Sequence, residues 1–254
     1  MDFEIEEFFP KFIGKYRYGG DQQVVKDVCD RVLEEIPKGH DEWNDNVAEE
    51  NLHHYFNISN SSLLRFDERL NDFEDFLLES STHFFTEILE YDLNESNMLI
   101  TDCWMNNCST EHTWQIKHNH NNCMIVGTYF VDFDPKLHAP LDFYRNTYKD
   151  TIPSMSQMRQ PRIANEGNKY TQEVHQSKPE EGMLFIWSAE MLHGYEAIYN
   201  LWKGRRTISM NFLPEIIDNG KYAFRIEPLQ HISPTQLNRR KELCLLYTSD
   251  AADE

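Results

Sequence analysis

A change in hydrophobic periodicity near residue 98 limits the possible folds of this chain more than any other feature. Before this point, apolar residues recur at helical spacing, and after it they form short runs rich in β-branched and aromatic residues. Helices followed by many short strands predict a β-sandwich or barrel with helices packed outside it. The 254 residues are enough for one domain of this kind.

The N-terminal part predicts two amphipathic helices that pack on a sheet. A first strand and turn are expected within residues 3–20, and Asp21 then has the character of an N-cap. The first helix follows and ends at Pro37-Lys38-Gly39. A polar loop is expected over 38–60. The second helix starts after Ser61 or Ser62 and continues to about Tyr91. Both helices are interpreted as scaffold.

The rest of the chain predicts a series of short strands. We expect them at residues 98–106, 112–118, 124–131, 141–144, 183–187, 198–202 and 205–213. One long polar stretch, 145–170, interrupts the series. Loops of that length are usually functional or mobile, so this one could close over a bound substrate.

Three histidines are candidate metal ligands. His118 and His120 stand two apart at the start of the β-rich region, and His193 follows at a predicted strand end. Residues i and i+2 of an extended strand share a face, so the first two can converge on one ion. Imidazole suits Fe(II), and three protein ligands leave positions open for a co-substrate and oxygen. With eleven histidines in the chain, a His-x-His pair alone would mean little.

The strand after Gly204 predicts an anion site beside these histidines. Strand alternation puts four polar residues on one face, namely Arg205, Thr207, Ser209 and Asn211. A polar row inside a barrel needs partners, because unpaired buried polar groups cost free energy. The Arg205 guanidinium matches a carboxylate geometrically. Arg206 falls on the opposite face and is expected to be a solvated charge outside the barrel, against an acidic helix.

Charge and cysteine content exclude some classes of function. A formal net charge of −19 disfavours nucleic acid as a partner and favours small molecules or basic partners. No apolar run is long enough to span a bilayer, and the acidic N-terminus lacks a signal-peptide pattern. The five cysteines show no CxxC pair and are interpreted as reduced thiols. We therefore expect a cytoplasmic protein that does not bind membranes.

The order of these motifs resembles a known family over most of residues 1–215. The motifs are Trp104-x-Asn106, His118-x-His120, Gly127-x-Tyr129, Pro179-x-x-Gly182, Leu184-Phe185-Ile186-Trp187-Ser188-x4-His193 and Arg205-x-Thr207-x-Ser209-x-Asn211. Together they resemble the prolyl-hydroxylase-like 2-oxoglutarate- and Fe(II)-dependent oxygenases that marine bacteria and their phages often encode. The resemblance implies a double-stranded β-helix, which is a jelly roll with flanking helices. It also implies a location in the cytoplasm of a bacterium or a phage-infected host.

The resemblance further implies a site and a reaction. Fe(II) would be held by His118, His120 and His193, and Arg205 would pair with the distal carboxylate of 2-oxoglutarate. The other residues expected at that anion are Thr207, Ser209, Tyr129 and Asn106. Ascorbate is a candidate auxiliary reductant. The implied reaction couples decarboxylation of 2-oxoglutarate to hydroxylation of an unknown primary substrate, either a protein side chain such as proline or a small metabolite. A homodimer is compatible with this reading.

The chain departs from the wider superfamily in its first motif, which is usually His-x-Asp. Here position 120 is histidine. Either His120 is the third ligand, or an acid such as Asp132, Asp134 or Asp142 reaches in, or the site has two histidines. The same-face argument favours His120. Two other functions stay open: a jelly-roll module that binds a metal or an anion without turnover, and a three-histidine dioxygenase that does not use 2-oxoglutarate.

The predicted domain covers residues 1–243. The last eleven residues, 244–254, resemble the in-frame translation of a transposon-based sequencing adapter. We therefore expect a non-native tail and a metagenomic origin, and the tail is left out of the fold prediction.

Overall fold

A computed structural model describes residues 4, 9–35, 52–55, 62–145, 169 and 171–226. The chain clusters into a large unit within Met1–Tyr91 and Ile100–Leu213 and a small unit within Asp92–Leu99 and Pro214–Glu254. Most of the predicted loop at 145–170 and all of the predicted tail at 244–254 lie outside the described residues.

The described elements are strands with a few helices. The strands are β1 (Gly14–Arg17), β2 (Leu52–Tyr55), β3 (Met98–Cys108), β4 (Gln115–His118), β5 (Ile125–Asp132), β6 (Leu141–Tyr144), β7 (Val174–Ser177), β8 (Met183–Ser188), β9 (His193–Tyr195), β10 (Arg206–Pro214), β11 (Ile216–Asp218) and β12 (Ala223–Arg225). The α-helices are α1 (Gln22–Glu35) and α2 (Asn71–His83). Shorter helical turns cover Leu63–Arg65, Glu68–Leu70, Phe84–Ile88 and Ala197–Tyr199.

Two sheets form the large unit. One has six strands in the order β1-β8-β5-β10-β3-β2, and the other has four in the order β4-β9-β6-β7. Antiparallel pairing joins β1 to β8, β8 to β5, β5 to β10 and β3 to β2 in the first sheet, and β4 to β9, β9 to β6 and β6 to β7 in the second. This mainly antiparallel architecture with a few helices confirms the predicted jelly roll.

The two faces of the six-stranded sheet carry different side chains because residues alternate along each strand. On one face, Tyr129 packs against Phe73 of α2, with ring centroids 4.7 Å apart. The other face holds an apolar cluster of Val126, Phe130, Phe133, Leu141, Phe143, Phe185, Trp187 and Ala189. Leu141 and Phe143 come from the four-stranded sheet, so this cluster is the interior of the barrel. The helices lie on the outside, as predicted.

Several local predictions differ from the structure. The predicted loop at 38–60 contains β2, and β7 was not foreseen. The second predicted helix is interrupted: two short helical turns, Leu63–Arg65 and Glu68–Leu70, precede α2. The Ser62 side chain makes no capping bond. Asp21 does act as a cap, because its Oδ1 accepts a hydrogen bond of 2.9 Å from the Gln23 N–H. The strand expected at 198–202 is wrong: Ala197–Tyr199 form a helical turn with Ile198 65% exposed.

The prediction that Arg206 is a solvated charge is also wrong. Its side chain is only 13% exposed, and its guanidinium forms ion pairs with Asp132 and with Asp30 of α1. The contact with an acidic helix does occur. The helix covers this face of the sheet, so the charge needs carboxylate partners there.

The small unit contains a hairpin of β11 and β12, with Ile216 opposite Arg225. Gly220 takes a φ of +81° in the turn, a conformation that glycine adopts without strain. None of the helices in the described ranges is long and apolar enough to cross a membrane.

Candidate metal centre and anion pocket

Three histidines converge between the ends of two paired strands. His118 ends β4 and lies directly opposite His193, which begins β9, with ring centroids 4.4 Å apart. The His120 ring lies 5.2 Å from each of the other two. One potential ligand nitrogen from each residue falls within 4.8 Å of the others. This is the set that the sequence predicted.

His120 reaches the cluster from a loop and not, as predicted, from the strand that carries His118. β4 ends at His118, so His120 does not share a strand face with it. Instead, the chain turns, and the His120 backbone N–H donates to the carbonyl of Ala189, at 3.0 Å. A loop contact therefore brings the third imidazole to the cluster.

Hydrogen bonds fix the tautomer of each ring. Nδ1 of His118 lies 2.8 Å from the carbonyl oxygen of Ile116, and Nδ1 of His193 lies 2.9 Å from that of Met191. Nδ1 of His120 lies 2.7 Å from Oδ1 of Asn211. Carbonyl and amide oxygens only accept hydrogen bonds, so each Nδ1 carries the hydrogen and each Nε2 keeps its lone pair. Such partners are usual for metal-bound histidines.

The environment keeps two of these rings neutral. Burial and then the nearby His118 hold the pKa of His193 well below its ordinary value. The same two causes lower the pKa of His120 to about 4, against an opposing effect of its bond to Asn211. Neutral imidazole is the form that binds a metal ion.

Gly194 allows the close approach of β4 and β9. A Cβ at this position would lie 2.9 Å from the carbonyl oxygen of Gln115 and 3.0 Å from that of Ile116. Only a residue without a side chain fits between the strands without displacing that backbone.

The same cavity contains a buried cation. Arg205 is 3% exposed, its guanidinium carbon lies 4.3 Å from the centroid of the Tyr195 ring, and its Nε donates to the carbonyl of Ala139. Within the described ranges, no carboxylate forms an ion pair with it. Burying an unpaired charge is costly, so the position favours an anionic ligand.

Polar side chains line the same cavity as the cation and the histidines. Asn106 Nδ2 donates to Ser209 Oγ at 2.9 Å and to Thr207 Oγ1 at 3.3 Å. Ser209 Oγ lies 3.2 Å from Thr128 Oγ1. These residues line one cavity together with Arg205 and the three histidines.

Tyr129 is the one predicted anion-site residue that the structure does not bring to this cavity. It is 1% exposed and lies on the outer face, among Phe73 and Tyr18. Its neighbour Thr128 points inward instead, as strand alternation requires. Thr128 was missed, although a hydroxyl in an otherwise apolar strand was a visible signal. Tyr195 and Gln115 also line the cavity and were not predicted.

The three acids considered as alternative ligands lie elsewhere. Asp132 pairs with Arg206 and Lys26, and Asp134 accepts from the Lys136 N–H in a turn. Asp142 is buried on β6, where it pairs in register with Gly194 rather than with a histidine of the cluster. The histidine group is the one candidate metal cluster found in the part of the chain that the structure describes.

The donor set suits a divalent transition metal. Three neutral imidazole nitrogens on one side of an ion leave positions open for a ligand with two oxygens. A buried guanidinium in the same cavity can hold the far end of an anionic ligand. The arrangement can therefore bind a metal ion and a small carboxylate side by side.

Comparison with known proteins agrees with this geometry. Residues 102–211 match the family model described as "Putative 2OG-Fe(II) oxygenase". This segment contains all three histidines and the polar row of β10. A comparison with curated protein sequences finds no match.

Two solved structures are similar to the chain. One is a prolyl hydroxylase from Trichoplax adhaerens in complex with a hypoxia inducible factor oxygen degradation domain peptide fragment, at 12% identity, with a TM-score of 0.53 over 80% of this chain and 84% of that one. The other is HygX from Streptomyces hygroscopicus with nickel, 2-oxoglutarate and hygromycin B bound. It is 9% identical, with a TM-score of 0.51 over 80% of this chain and 83% of that one. At these identities, the likeness shows the fold alone.

Proposed function

We propose that this chain, whose residues 102–211 match the 2OG-Fe(II) oxygenase family model, is an Fe(II)-dependent oxygenase that uses 2-oxoglutarate to hydroxylate a primary substrate. The observation that carries the proposal is the combination, in one cavity, of three Nε2 lone pairs and a buried guanidinium that pairs with no carboxylate of the described residues. A metal-binding module without a co-substrate would need only the first of these features.

The residues have separate roles in this proposal. His118, His120 and His193 would hold Fe(II) through Nε2. Arg205 would bind the distal carboxylate of 2-oxoglutarate, with Thr207 and the Asn106–Ser209 pair as nearby polar partners. When bound, Fe(II) and 2-oxoglutarate supply the oxidising chemistry, in which the co-substrate is decarboxylated to succinate and one oxygen atom of O₂ enters the primary substrate.

The apolar cluster would limit the access of water to the site. Trp187 and Phe143 pack against the His193 ring, with centroids 4.8 Å and 6.4 Å away. A dry site strengthens the attraction between Arg205 and a carboxylate, because charges interact more strongly where the dielectric is low. The chain's own contribution is thus to orient the ligands and exclude solvent.

The primary substrate is a peptide side chain or a small metabolite. The two similar structures carry one of each kind, a peptide fragment and hygromycin B. Ascorbate is proposed as an auxiliary reductant. A cytoplasmic location and a homodimeric state of the protein stay predictions.

The test is consumption of 2-oxoglutarate by the purified protein with Fe(II), ascorbate and oxygen. We expect succinate to form slowly even without the primary substrate, and Arg205→Ala to abolish this. Absence of both succinate formation and 2-oxoglutarate binding would reject the proposal.

One observation favours a second candidate, a three-histidine dioxygenase that does not use 2-oxoglutarate. The described cluster contains no carboxylate, whereas the wider superfamily has one at the position of His120. This candidate gives Arg205 no co-substrate to bind. Calorimetric titration of the Fe(II)-loaded protein with 2-oxoglutarate separates the two, since only the first predicts binding.

A further inference from the structure

Asn211 links one histidine of the cluster to a carboxylate. Its Oδ1 lies 2.7 Å from His120 Nδ1, and its Nδ2 donates to Asp102 Oδ2 at 3.0 Å. The Asn211 side chain is buried, with the residue 4% exposed. Asp102 is itself held by Thr101 Oγ1 and Asn122 Nδ2, each at 3.2 Å.

These contacts give the Asn211 amide a direction. An ionised carboxylate only accepts hydrogen bonds, so Asp102 must face the NH₂ end of the amide. The oxygen end then faces His120. An amide oxygen cannot donate, so the hydrogen of the neutral imidazole must sit on Nδ1, and the lone pair of Nε2 points towards His118 and His193.

We propose that Asp102 and Asn211 are a positioning pair that sets the tautomer and orientation of His120 for metal binding. This inference rests on the proposed metal centre and adds two residues to it. Neither would touch the metal ion.

A difference among the three histidines supports this role. His118 and His193 each bond through Nδ1 to the backbone carbonyl two residues earlier, Ile116 and Met191. Their tautomers are therefore set by local backbone. His120 lies beyond the end of β4, and a side chain of β10 provides its acceptor instead. His120 is thus the member of the cluster whose tautomer a distant substitution can change.

Because Asp102 orients the Asn211 amide, this neutral group is sufficient to fix the tautomer of His120. A carboxylate in direct contact with Nδ1 would also enforce this tautomer, but it would bring a second charge into a buried site. Here, the Asp102 carboxylate does not contact His120, and the Asn211 side-chain amide lies between the two. The partners of Asp102 are polar, so its charge is hydrogen-bonded where it lies.

The decisive experiment measures the tautomer in the metal-free protein. Histidine labelled with ¹⁵N gives long-range ¹H–¹⁵N correlations that separate the Nδ1–H from the Nε2–H form of each ring. Spectra are recorded at pH 8, where neutral rings dominate, and His→Gln variants assign the signals. We expect the Nδ1–H form for His118, His120 and His193 in the parent protein.

Asn211→Leu removes both ends of the link at nearly constant volume. We expect His120 alone to become a mixture of tautomers, while His118 and His193 in the same sample keep the Nδ1–H form as internal controls. Fe(II) affinity, measured by anaerobic calorimetry, should fall about 10- to 100-fold. Asp102→Ala should shift the tautomer in the same direction but to a smaller extent, because Nδ2 of Asn211 then keeps its longer bond to Asn122 Oδ1, at 3.4 Å. Asp102→Asn should keep the parent His120 tautomer and Fe(II) affinity, since the new side-chain oxygen can still accept the hydrogen bond from Asn211.

Two results would overturn the inference. One is a pure Nδ1–H form of His120 in Asn211→Leu, and the other is a tautomer mixture with unchanged Fe(II) affinity. A variant in which all three histidines change together reports general loss of structure and also counts against a specific pair. If the tautomers behave as expected but the parent protein binds no Fe(II), the proposed function fails while the effect on His120 stands.

Discussion

Arg205 and Arg206 are consecutive residues whose guanidinium groups lie on opposite faces of the six-stranded sheet. Arg205 lines the cavity and has no carboxylate partner among the described residues, whereas Arg206 pairs with Asp132 and Asp30 under α1. One position is therefore available to a ligand, and the other is occupied by the protein itself. Substitution should separate ligand binding from stability.

Arg205→Ala should weaken 2-oxoglutarate binding without loss of Fe(II) binding. Loss of a buried charge-assisted pair costs about 2–5 kcal/mol, which is roughly thirty- to several-thousand-fold in affinity. Calorimetry with each ligand in turn measures both affinities.

Arg206→Ala is the matched control. It should leave 2-oxoglutarate affinity within about twofold but lower the free energy of unfolding by about 1–3 kcal/mol, because partly buried Asp132 then keeps only Lys26 of its two cationic partners. Urea unfolding measures this. If Arg206→Ala were the variant defective in 2-oxoglutarate binding, the assignment of the two faces would be wrong.

His118→Ala or His193→Ala should abolish Fe(II) binding while the fold persists. Each removes one of three nitrogens, and the apolar cluster and both helices do not depend on a metal. Anaerobic calorimetry reports binding, and circular dichroism reports the fold. His175→Ala is the control, because this histidine is exposed on β7, outside the cluster. Parent-like Fe(II) affinity in His193→Ala would remove His193 from the ligand set.

His120→Asp should retain Fe(II) binding, whereas His120→Ala should weaken it. A carboxylate is a good ligand for Fe(II), and related oxygenases carry one in this motif. The same titration applies to both variants. Equal, parent-like affinities would mean that His120 is not a ligand, and the third donor would then have to be sought elsewhere.

Asp142 predicts a pH dependence of stability. Burial, followed by the charge of Glu196, raises its pKa to about 6, and its Oδ1 has no hydrogen-bond partner among the described residues. An ordinary aspartate titrates near pH 3.9. The folded state therefore binds more protons between about pH 4 and pH 6, so the group reduces stability as the pH rises through this window. The penalty is absent below the window and complete above it.

Asp142→Asn should remove this penalty. We expect a gain of about 1–3 kcal/mol in the free energy of unfolding at pH 7.5 and little change at pH 4. Urea unfolding at both values makes the comparison, with the exposed Asp75→Asn on α2 as control. An equal effect at both pH values would show that ionisation of Asp142 is not the cause.

The alternation of residues made much of the fold predictable. Leu141–Tyr144 was predicted to the residue, and β3, β5, β8 and β10 within one or two residues at most ends. Such strands are recognisable in the sequence as runs or alternations of apolar residues, because each buries at least one face. The prediction was wrong at 198–202, where apolar residues stay exposed and none of the described strands pairs with them. β7 has too few apolar residues to be visible.

The candidate site was predictable in composition but not in geometry. Histidines and a lone basic strand are visible in sequence, and so is the face to which Arg205 belongs. The loop contact that turns His120 inward joins it to Ala189, far along the chain, and no local pattern encodes it. The choice of Tyr129 over Thr128 failed by one residue, which in a strand exchanges the faces. Asp102 was missed because it reaches the site only through Asn211.

The missing side chain at Gly194 has a consequence for engineering. A methyl group there would push against the carbonyl of Ile116, the same atom that accepts the hydrogen bond from His118. The distance between His118 and His193 therefore depends on how closely the main chains of β4 and β9 pack at Gly194. Libraries that diversify the cavity to accept new substrates should therefore hold position 194 constant as glycine, along with the three histidines and Arg205.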